Sequence, residues 1–470
     1  MTTQQVIDEV CEVFGSYDWA RYQAAGYDKH GDYCFIYSYP PVRTLKPLEQ
    51  DALFVESPFG SLRETASLYI HIPYCTGICS YCYFAKVVDG KHAPVARSAY
   101  PRLLSAELSA LVERSRLKPR VSSIHFGGGT PSLLEADELD QIMASVRSAT
   151  TLLEGSEVTL ECAPETIERD PEKLVAYKRL GVNRLNLGVE SLDDRVLAIM
   201  GRRHDSASTL RALRQMQVAG YDNINVDLIY GLPGQTLESW VETLQTVIDA
   251  GVHSISTYRL RKHPMKRISA FDPQRYPSYE EGLKMQIAHE LVMRKAGFIR
   301  ASSHKYARST DKLQAQVEHK RGVECNQLIS IGCGAYGFIN GTFYWNTKSL
   351  TEYGQAVADG RMPVWIGERL DKDQAMRKSL VMGMHTNRGI SLAAFRDRYG
   401  EDPLTTFAGV VEPLVELGFI EIRDGYLGPT ERGRFFSDEL SVAFYAPRVR
   451  DELSLLGMKY GMFFEQDRYA

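Results

Sequence analysis

Long apolar runs are missing from this 470-residue chain. No stretch approaches the ~20 residues that a membrane-spanning helix requires, which argues against a bilayer span. A surplus of either charge is missing too. The 55 Lys and Arg stand against 59 Asp and Glu, a formal net charge of −4 with a pI ≈ 6.3. Nothing in that balance calls for nucleic acid as the main partner. Met1-Thr-Thr-Gln-Gln has neither the basic start nor the apolar core of a secretory signal, so the expected compartment is the cytoplasm. There the eight cysteines need not pair. Internal repeats and low-complexity tracts are not evident. With 44% hydrophobic and 24% charged residues, the composition is that of a globular enzyme of two or three domains.

What the chain does have is concentrated in one short run. Tyr69-Ile-His-Ile-Pro-Tyr-Cys75-Thr-Gly-Ile-Cys79-Ser-Tyr-Cys82 puts three residues between the first pair of thiols and two between the second. A zinc site wants four ligands, usually as two separated Cys pairs, and a ferredoxin cluster wants four cysteines. Three close cysteines with no nearby fourth point to a four-iron cluster with one iron left open to a small molecule. The plainer alternative is three structural cysteines that lie close by chance. The strand-like stretch Leu68 to Pro73 just before them argues against that. Cys11, Cys34, Cys162, Cys325 and Cys333 are scattered and read as small buried residues.

Residues 1–65 read as a tyrosine-rich N-terminal extension, with helical spacing over Thr3 to Phe14 and an extended Tyr37-Ser-Tyr-Pro-Pro41, because residues before proline avoid the helical region. Over 66–300, strand-like stretches near 68–72, 121–126, 158–162, 184–189, 224–229 and 254–260 alternate with helical ones. Such alternation predicts an α/β fold, a parallel barrel or open sheet with helices outside. Chemistry then gathers at the C-terminal ends of the strands, where the cysteine run falls. Residues 301–365 read as a loop-rich segment completing the pocket. Residues 366–470 read as a mostly helical, winged-helix-like domain: helices near 375–384, 392–399 and 404–417, a hairpin over 419–427, and a helix from Thr430. That domain lacks a dense basic helix, so a covering or packing role is expected over DNA binding.

Further groups sit at predicted strand ends. His125-Phe-Gly127-Gly128-Gly129-Thr130-Pro131 follows the second strand, and glycines there let backbone approach a ligand closely. Glu161 ends the third strand, Glu190 the fourth, and Asp227 lies within the fifth. A carboxylate in an apolar strand is costly to bury alone, so each should meet a cation or hydroxyl; a structural salt bridge is the other reading. Arg184, Arg202, Arg203 and His204 are candidates for holding a carboxylate, though an exposed cap fits each equally. Tyr258, Arg259 and Arg261 end the sixth strand, and Lys262, His263, Lys266 and Arg267 extend it as a basic run, solvated or steering an anionic substrate. Ile331-Gly-Cys-Gly334-Ala335-Tyr-Gly337 reads as a close-packed turn lining the pocket.

Taken in order, these motifs resemble the radical SAM (S-adenosylmethionine) superfamily over roughly residues 35–440. The branch they resemble contains the oxygen-independent coproporphyrinogen III oxidases, the haem chaperones related to them, and the class C radical SAM methylases and cyclopropanases. The resemblance implies a partial (β/α)6 barrel, with the N-terminal extension and the C-terminal helical domain attached. It implies a [4Fe-4S] cluster on Cys75, Cys79 and Cys82, and a first SAM held by Gly128, Gly129, Thr130, Glu161, Arg202 and Asp227, with Tyr69 beside the cluster. Tyr81 and Glu190 match positions near a second SAM, and Gly334 and Ala335 match the pocket turn. Glu190 and Tyr69 are the candidates for catalytic proton handling. A small-molecule substrate and an electron donor such as flavodoxin or ferredoxin follow, with neither nucleic acid nor membrane.

Departures from family patterns choose within the branch. The oxidases usually carry another cysteine where this chain has Phe84, and Gln where it has Glu190. The chaperones usually begin near the first barrel strand, whereas here about 65 residues precede it, with a Tyr-Pro-Pro stretch resembling the methylases. The expectation is therefore a class C methylase or cyclopropanase that uses two SAM molecules to pass a methylene to an sp2 carbon of a natural-product substrate. The alternatives are a coproporphyrinogen III oxidase or another tetrapyrrole- or haem-processing enzyme, and a haem chaperone.

Overall fold

A computed structural model describes residues 2–26, 39–59, 61, 64–260, 268, 271–313 and 327–457. The basic run 261–267, together with Cys34, Tyr37 and Cys325, lies outside the described residues. Among the described residues, thirteen strands join in one sheet. Along the chain they are β1 (Lys46–Pro47), β2 (Thr65–Ile72), β3 (Arg120–Gly128), β4 (Thr151–Cys162), β5 (Arg184–Glu190), β6 (Ile224–Tyr230), β7 (Ser254–Arg259), β8 (Ile299–Ser302), β9 (Lys305–Ala307), β10 (Gln327–Ile331), β11 (Tyr336–Ile339), β12 (Thr342–Asn346) and β13 (Val364–Arg369).

Strands β2 to β7 lie side by side in chain order, all parallel. Parallel strands need helical crossovers, and the sequence supplies them with clear start signals. Ala136–Ala149 is capped by Glu135, Ser206–Val218 by Asp205 and Leu237–Asp249 by Thr236. Each helix buries one apolar face, as Leu139, Ile142, Met143 and Val146 do. The strands are covered on both faces, so β5 and β6 are buried almost throughout, the usual state of a parallel sheet.

The sheet does not close. β10 adds to the outer side of β2 in parallel, followed by antiparallel β11, β12, β13 and β1. Beyond β7, β9 and β8 form an antiparallel edge. The partial barrel is thus extended at both sides. The segment 301–365, expected to be rich in loops, instead supplies β9 to β12 and the start of β13. Its strands hide from pattern reading because β10 and β12 are buried at every position, which removes the alternation that marks a half-exposed strand.

The C-terminal region packs helices Lys372–Gly383, Leu392–Tyr399 and Ala408–Glu416 with a three-stranded sheet made of Ile390–Ser391 and the hairpin Ile420–Arg423/Tyr426–Pro429. Asp424 and Gly425 turn that hairpin, both with positive φ (53° and 78°), the conformation that a two-residue turn with the native twist requires. The helix expected over 404–417 is interrupted at Phe407. A bridge between Ser302 and Thr386 and the Ser303 N–H to His385 carbonyl bond of 3.0 Å fasten this region to the β8–β9 edge.

Candidate active site

At the C-terminal ends of the parallel strands opens a cavity of ≈ 370 Å³. Cys75, Cys79 and Cys82 all line it. Burial pushes the Cys75 thiol up to about 11, and the neighbouring Cys82 and Cys79 add to the rise while Thr130 opposes it by hydrogen bonding. Burial raises Cys82 as well. Desolvated thiols such as Cys75 and Cys82 resist ionisation unless a cation binds them. Among the described residues, no three His, Cys, Asp or Glu side chains converge on a single-ion site. The three thiols that line the cavity are the donor type that iron–sulfur clusters take.

The glycine loop at the end of β3 is pressed onto the cysteine segment. Gly129 N–H donates to Ile72 O at 2.8 Å and Thr130 N–H to Tyr74 O at 2.7 Å. A Cβ on Gly129 would stand 2.6 Å from Tyr74 O, so no side chain fits there. Gly128 has φ of 106°, and a Cβ on it would strike the His71 ring. That ring is fixed from both sides. Tyr69 OH donates to Nδ1 at 3.1 Å, and Nε2–H meets the Ala85 carbonyl at 2.8 Å. Burial lowers His71 to about 4, so it stays neutral. Tyr69 also stacks on His125, with ring centroids 5.7 Å apart.

Four carboxylates line this mouth, in different environments. Glu161 accepts His125 Nε2–H at 2.8 Å and Gly128 N–H at 3.2 Å. Burial pushes its pKa up, but these donors outweigh it and hold the group below the ordinary value. Asp227 is raised by burial and takes Asn225 Nδ2–H at 2.7 Å. Glu190 sits at the end of β5 with φ of 63°, a left-handed conformation that side chains resist. The β5–β6 register shifts between Gly188 and Glu190, a bulge that re-aims the carboxylate into the mouth.

Arg202 ties the carboxylates to the cysteine loop. Its Nη1 lies 3.6 Å from Glu190 Oε1 and 3.4 Å from both Cys79 Sγ and Tyr81 OH, while Nη2 donates to Gly188 O at 2.7 Å. Glu165 is a neighbour that the sequence reading did not single out. Burial raises it, yet His204 and Arg202 together overcome that and hold it at about 2.

Every residue that the resemblance assigns to the cluster or the SAM sites reaches the cavity wall except Ala335; of the other candidates, Arg184 and His204 do not. Ala335 is buried behind that wall, its carbonyl accepting the Asn346 N–H at 2.8 Å. It serves the β10–β11 turn and not the pocket. Gly334 does line the cavity, set so tightly that a Cβ would strike the Ala85 side chain. Of the cationic candidates, Arg202, Arg203 and Arg259 reach the wall, but Arg184 is buried away from it, bonded to Asn223, Ser254 and the Lys312 carbonyl. The reading missed His304, Lys305, Trp345, Lys348 and Lys86, which also line the cavity. They come from β9, the turn before it, the end of β12 and the stretch after the cysteines, none of which carries a recognisable motif.

The sequence profile of the radical SAM superfamily matches residues 69–247. The chain carries a radical SAM domain. The profile of the HemN C-terminal domain matches residues 370–436. Among curated relatives, the haem chaperone HemW of Bacillus subtilis is 28% identical, over 80% of this chain and 98% of its own length. The oxygen-independent coproporphyrinogen III oxidase of Bradyrhizobium diazoefficiens is 26% identical, over 87% of this chain and 93% of its own. The solved structure of coproporphyrinogen III oxidase (HemN) from Escherichia coli superposes with a TM-score of 0.76, covering 87% of this chain and 96% of that one at 23% identity. The fold is therefore the HemN-like radical SAM fold, with its cluster and SAM chemistry implied.

These matches overturn the methylase and cyclopropanase expectation. Near-full-length likeness runs to HemN- and HemW-type proteins, and Phe84 and Glu190, which had argued against them, are two local substitutions within that likeness. No helix among the described residues is long and apolar enough to cross a membrane.

Proposed function

We propose that this chain is a radical SAM enzyme acting on a tetrapyrrole, related in activity to the oxygen-independent coproporphyrinogen III oxidases. The observation that carries the reading is the single cavity in which the three cysteines and the Glu161, Asp227 and Glu190 carboxylates share a wall with Arg259, Lys305 and Lys348 and the aromatic faces of Tyr336 and Trp345. Carboxylates suit a cationic cofactor; cations and flat rings suit a planar substrate bearing carboxylate arms.

When bound, a four-iron cluster and SAM supply a reductively generated carbon radical able to take hydrogen from an unactivated C–H bond. The protein's share is placement. Cys75, Cys79 and Cys82 would hold the cluster, with Arg202 offsetting charge at Cys79. Gly128, Gly129 and Thr130 give a shelf with no side chain in the way. Glu161 and Asp227 provide acceptors for ammonium and hydroxyl groups, and the neutral His71 with Tyr69 seals the floor against water. A second SAM beside Tyr81 and Glu190, and a one-electron donor such as flavodoxin or ferredoxin, belong to the same reading.

The test is anaerobic reconstitution with iron and sulfide, then reductant and SAM with either coproporphyrinogen III or haem. Substrate-dependent 5'-deoxyadenosine together with an altered tetrapyrrole is the expected result. Stoichiometric haem uptake with no substrate-dependent SAM cleavage would replace this reading with that of a chaperone, the activity named for the B. subtilis relative.

A further inference from the structure

One anion lies against the cysteine run without a role in the chemistry above. Glu165 sits in the short helix Pro164–Arg169 that follows β4 and lines the cavity. Its Oε1 accepts the Thr76 hydroxyl at 3.1 Å, and Thr76 is the residue after Cys75. Its Oε2 is sealed from solvent with no hydrogen-bond partner among the described residues. That oxygen lies 3.6 Å from Nδ1 of His204, whose side chain is fully buried. His204 Nε2 lies 3.2 Å from the Val189 carbonyl, which only accepts, so an imidazole proton points there. Burial works against the Glu165 charge, yet His204 and Arg202 keep the group ionised, at about 2.

The neighbouring segment fixes this charge relative to the cysteines. Met200 O accepts both the N–H and the hydroxyl of Ser80, at 3.2 and 3.1 Å. Arg202 Nη1 lies 3.4 Å from Cys79 Sγ. Arg203 lies so close over Gly77 that a Cβ there would stand 2.7 Å from its Nε. Residues 200–204 thus fasten onto the run 76–81 and bring two guanidinium groups to it. Each would favour an extra electron on a cluster bound there, because the potential of an iron–sulfur centre follows the charge around it. Glu165 acts in the opposite sense. Its carboxylate and Arg202 attract one another, so it also blunts the pull of that guanidinium.

We propose that Glu165 sets the driving force for SAM cleavage: its anchored carboxylate lowers the reduction potential of a cluster on Cys75, Cys79 and Cys82. An electron placed beside that fixed anion is held less firmly and is passed on more readily. The inference rests on the radical SAM domain and not on the tetrapyrrole reading. The step concerned moves one electron from a one-electron protein donor to the cluster and then to the SAM sulfonium. There one carbon–sulfur bond breaks, giving methionine and a carbon radical. The donor is oxidised, the sulfonium is reduced, and no proton moves. Glu165 touches neither reactant and acts only through its field.

Two measurements test this. The first needs no turnover: a redox titration of the anaerobically reconstituted full chain, without SAM, followed by electron paramagnetic resonance. It is run at about pH 8, above the ordinary imidazole range. Glu165→Gln keeps the shape, the Thr76 bond and a donor for His204 Nδ1, and removes the charge. At a fixed potential it should raise the ratio of reduced to oxidised cluster by about threefold or more. Glu165→Asp, which keeps the charge, and Thr76→Val, which loses the anchor, should each move that ratio less. An unchanged ratio in Glu165→Gln would mean that a charged His204 already neutralises the carboxylate, and would overturn the proposal. An equal shift in Thr76→Val, or loss of iron from Glu165→Gln, would assign a purely structural role and overturn it too. The second measurement follows 5'-deoxyadenosine from pre-reduced protein given SAM. Release should be about threefold or more slower in Glu165→Gln, and an equal or faster release would also overturn the proposal. If neither coproporphyrinogen III nor haem is turned over by the unsubstituted protein, the proposed function fails while the potential still decides the role of Glu165.

Discussion

Glu107 accepts the amide N–H of Gly332 at 2.8 Å from a completely enclosed position behind the cavity wall. Tyr353 OH and Asn346 Nδ2 donate to the same carboxyl group, each at 2.7 Å. Burial raises Glu107 to about 7, against the three donors that pull it down. A carboxyl whose folded pKa exceeds its unfolded value adds stability that is fully present below about 4.5 and is lost as pH rises through about 7. Denaturant titrations between pH 5 and 8 should therefore show a stability decline that is absent from Glu107→Gln. An identical pH slope in the two proteins would remove this role. The substitution itself should cost about 1–3 kcal/mol, because an amide nitrogen brought in among donors leaves one of them unmatched.

Replacing a cysteine separates ligand from packing. Cys79 is partly exposed and its loss creates little void, so Cys79→Ala should fold with a circular dichroism spectrum like that of the parent. After anaerobic reconstitution it should hold well under the ~4 irons per chain of an intact cluster and cleave no SAM. Iron analysis decides the matter; retention of a full complement would exclude Cys79 as a ligand.

The glycine shelf offers a graded pair. Gly129→Ala sets a methyl against the Tyr74 and Ile72 carbonyls, which are backbone and cannot swing aside. Gly128→Ala adds a left-handed penalty to a collision with the His71 ring. Each should lower stability by about 1–3 kcal/mol and weaken SAM binding, read by equilibrium dialysis on reconstituted protein. Unchanged SAM affinity in both would show that the shelf does not face the cofactor.

Glu190→Gln tests the strained strand end. Glu190 is hydrogen-bonded to Tyr81, and the amide keeps the shape and can still make that bond, so stability should move by no more than about 1 kcal/mol. Turnover should fall at least tenfold, since the charge beside Arg202 is gone. A fully active variant would reduce Glu190 to a structural partner of Arg202.

Much of this site can be read from residue order, because spacing reports geometry where the chain runs strand, loop, helix. Cys75 to Cys82, Gly127 to Thr130, Glu161 and Asp227 each follow or end a strand with visible start and stop signals, and a regular parallel core then brings them to one mouth. The wall supplied by β9 to β12 is different. Its strands are covered on both faces, so Gln327 to Ile331 and Thr342 to Asn346 show no alternation, and Ser302-Ser-His304-Lys305 reads as an ordinary polar turn. The reaction class failed for a related reason. Phe84 and Glu190 are single positions, and near-complete alignment with oxidase and chaperone relatives outweighs what two side chains imply.

The pairing of β10 with β2 brings together residues separated by some 260 positions: Ile331 lies beside Ile70. During synthesis, which proceeds from the N-terminus, the cysteine loop is finished long before the turn at Gly334 that later butts against Ala85. A nascent chain halted between those points would lack the wall that Gly334 adds beside the cysteine loop. Iron delivery would have its widest access in that interval, and oxidative damage would have its best opportunity as well.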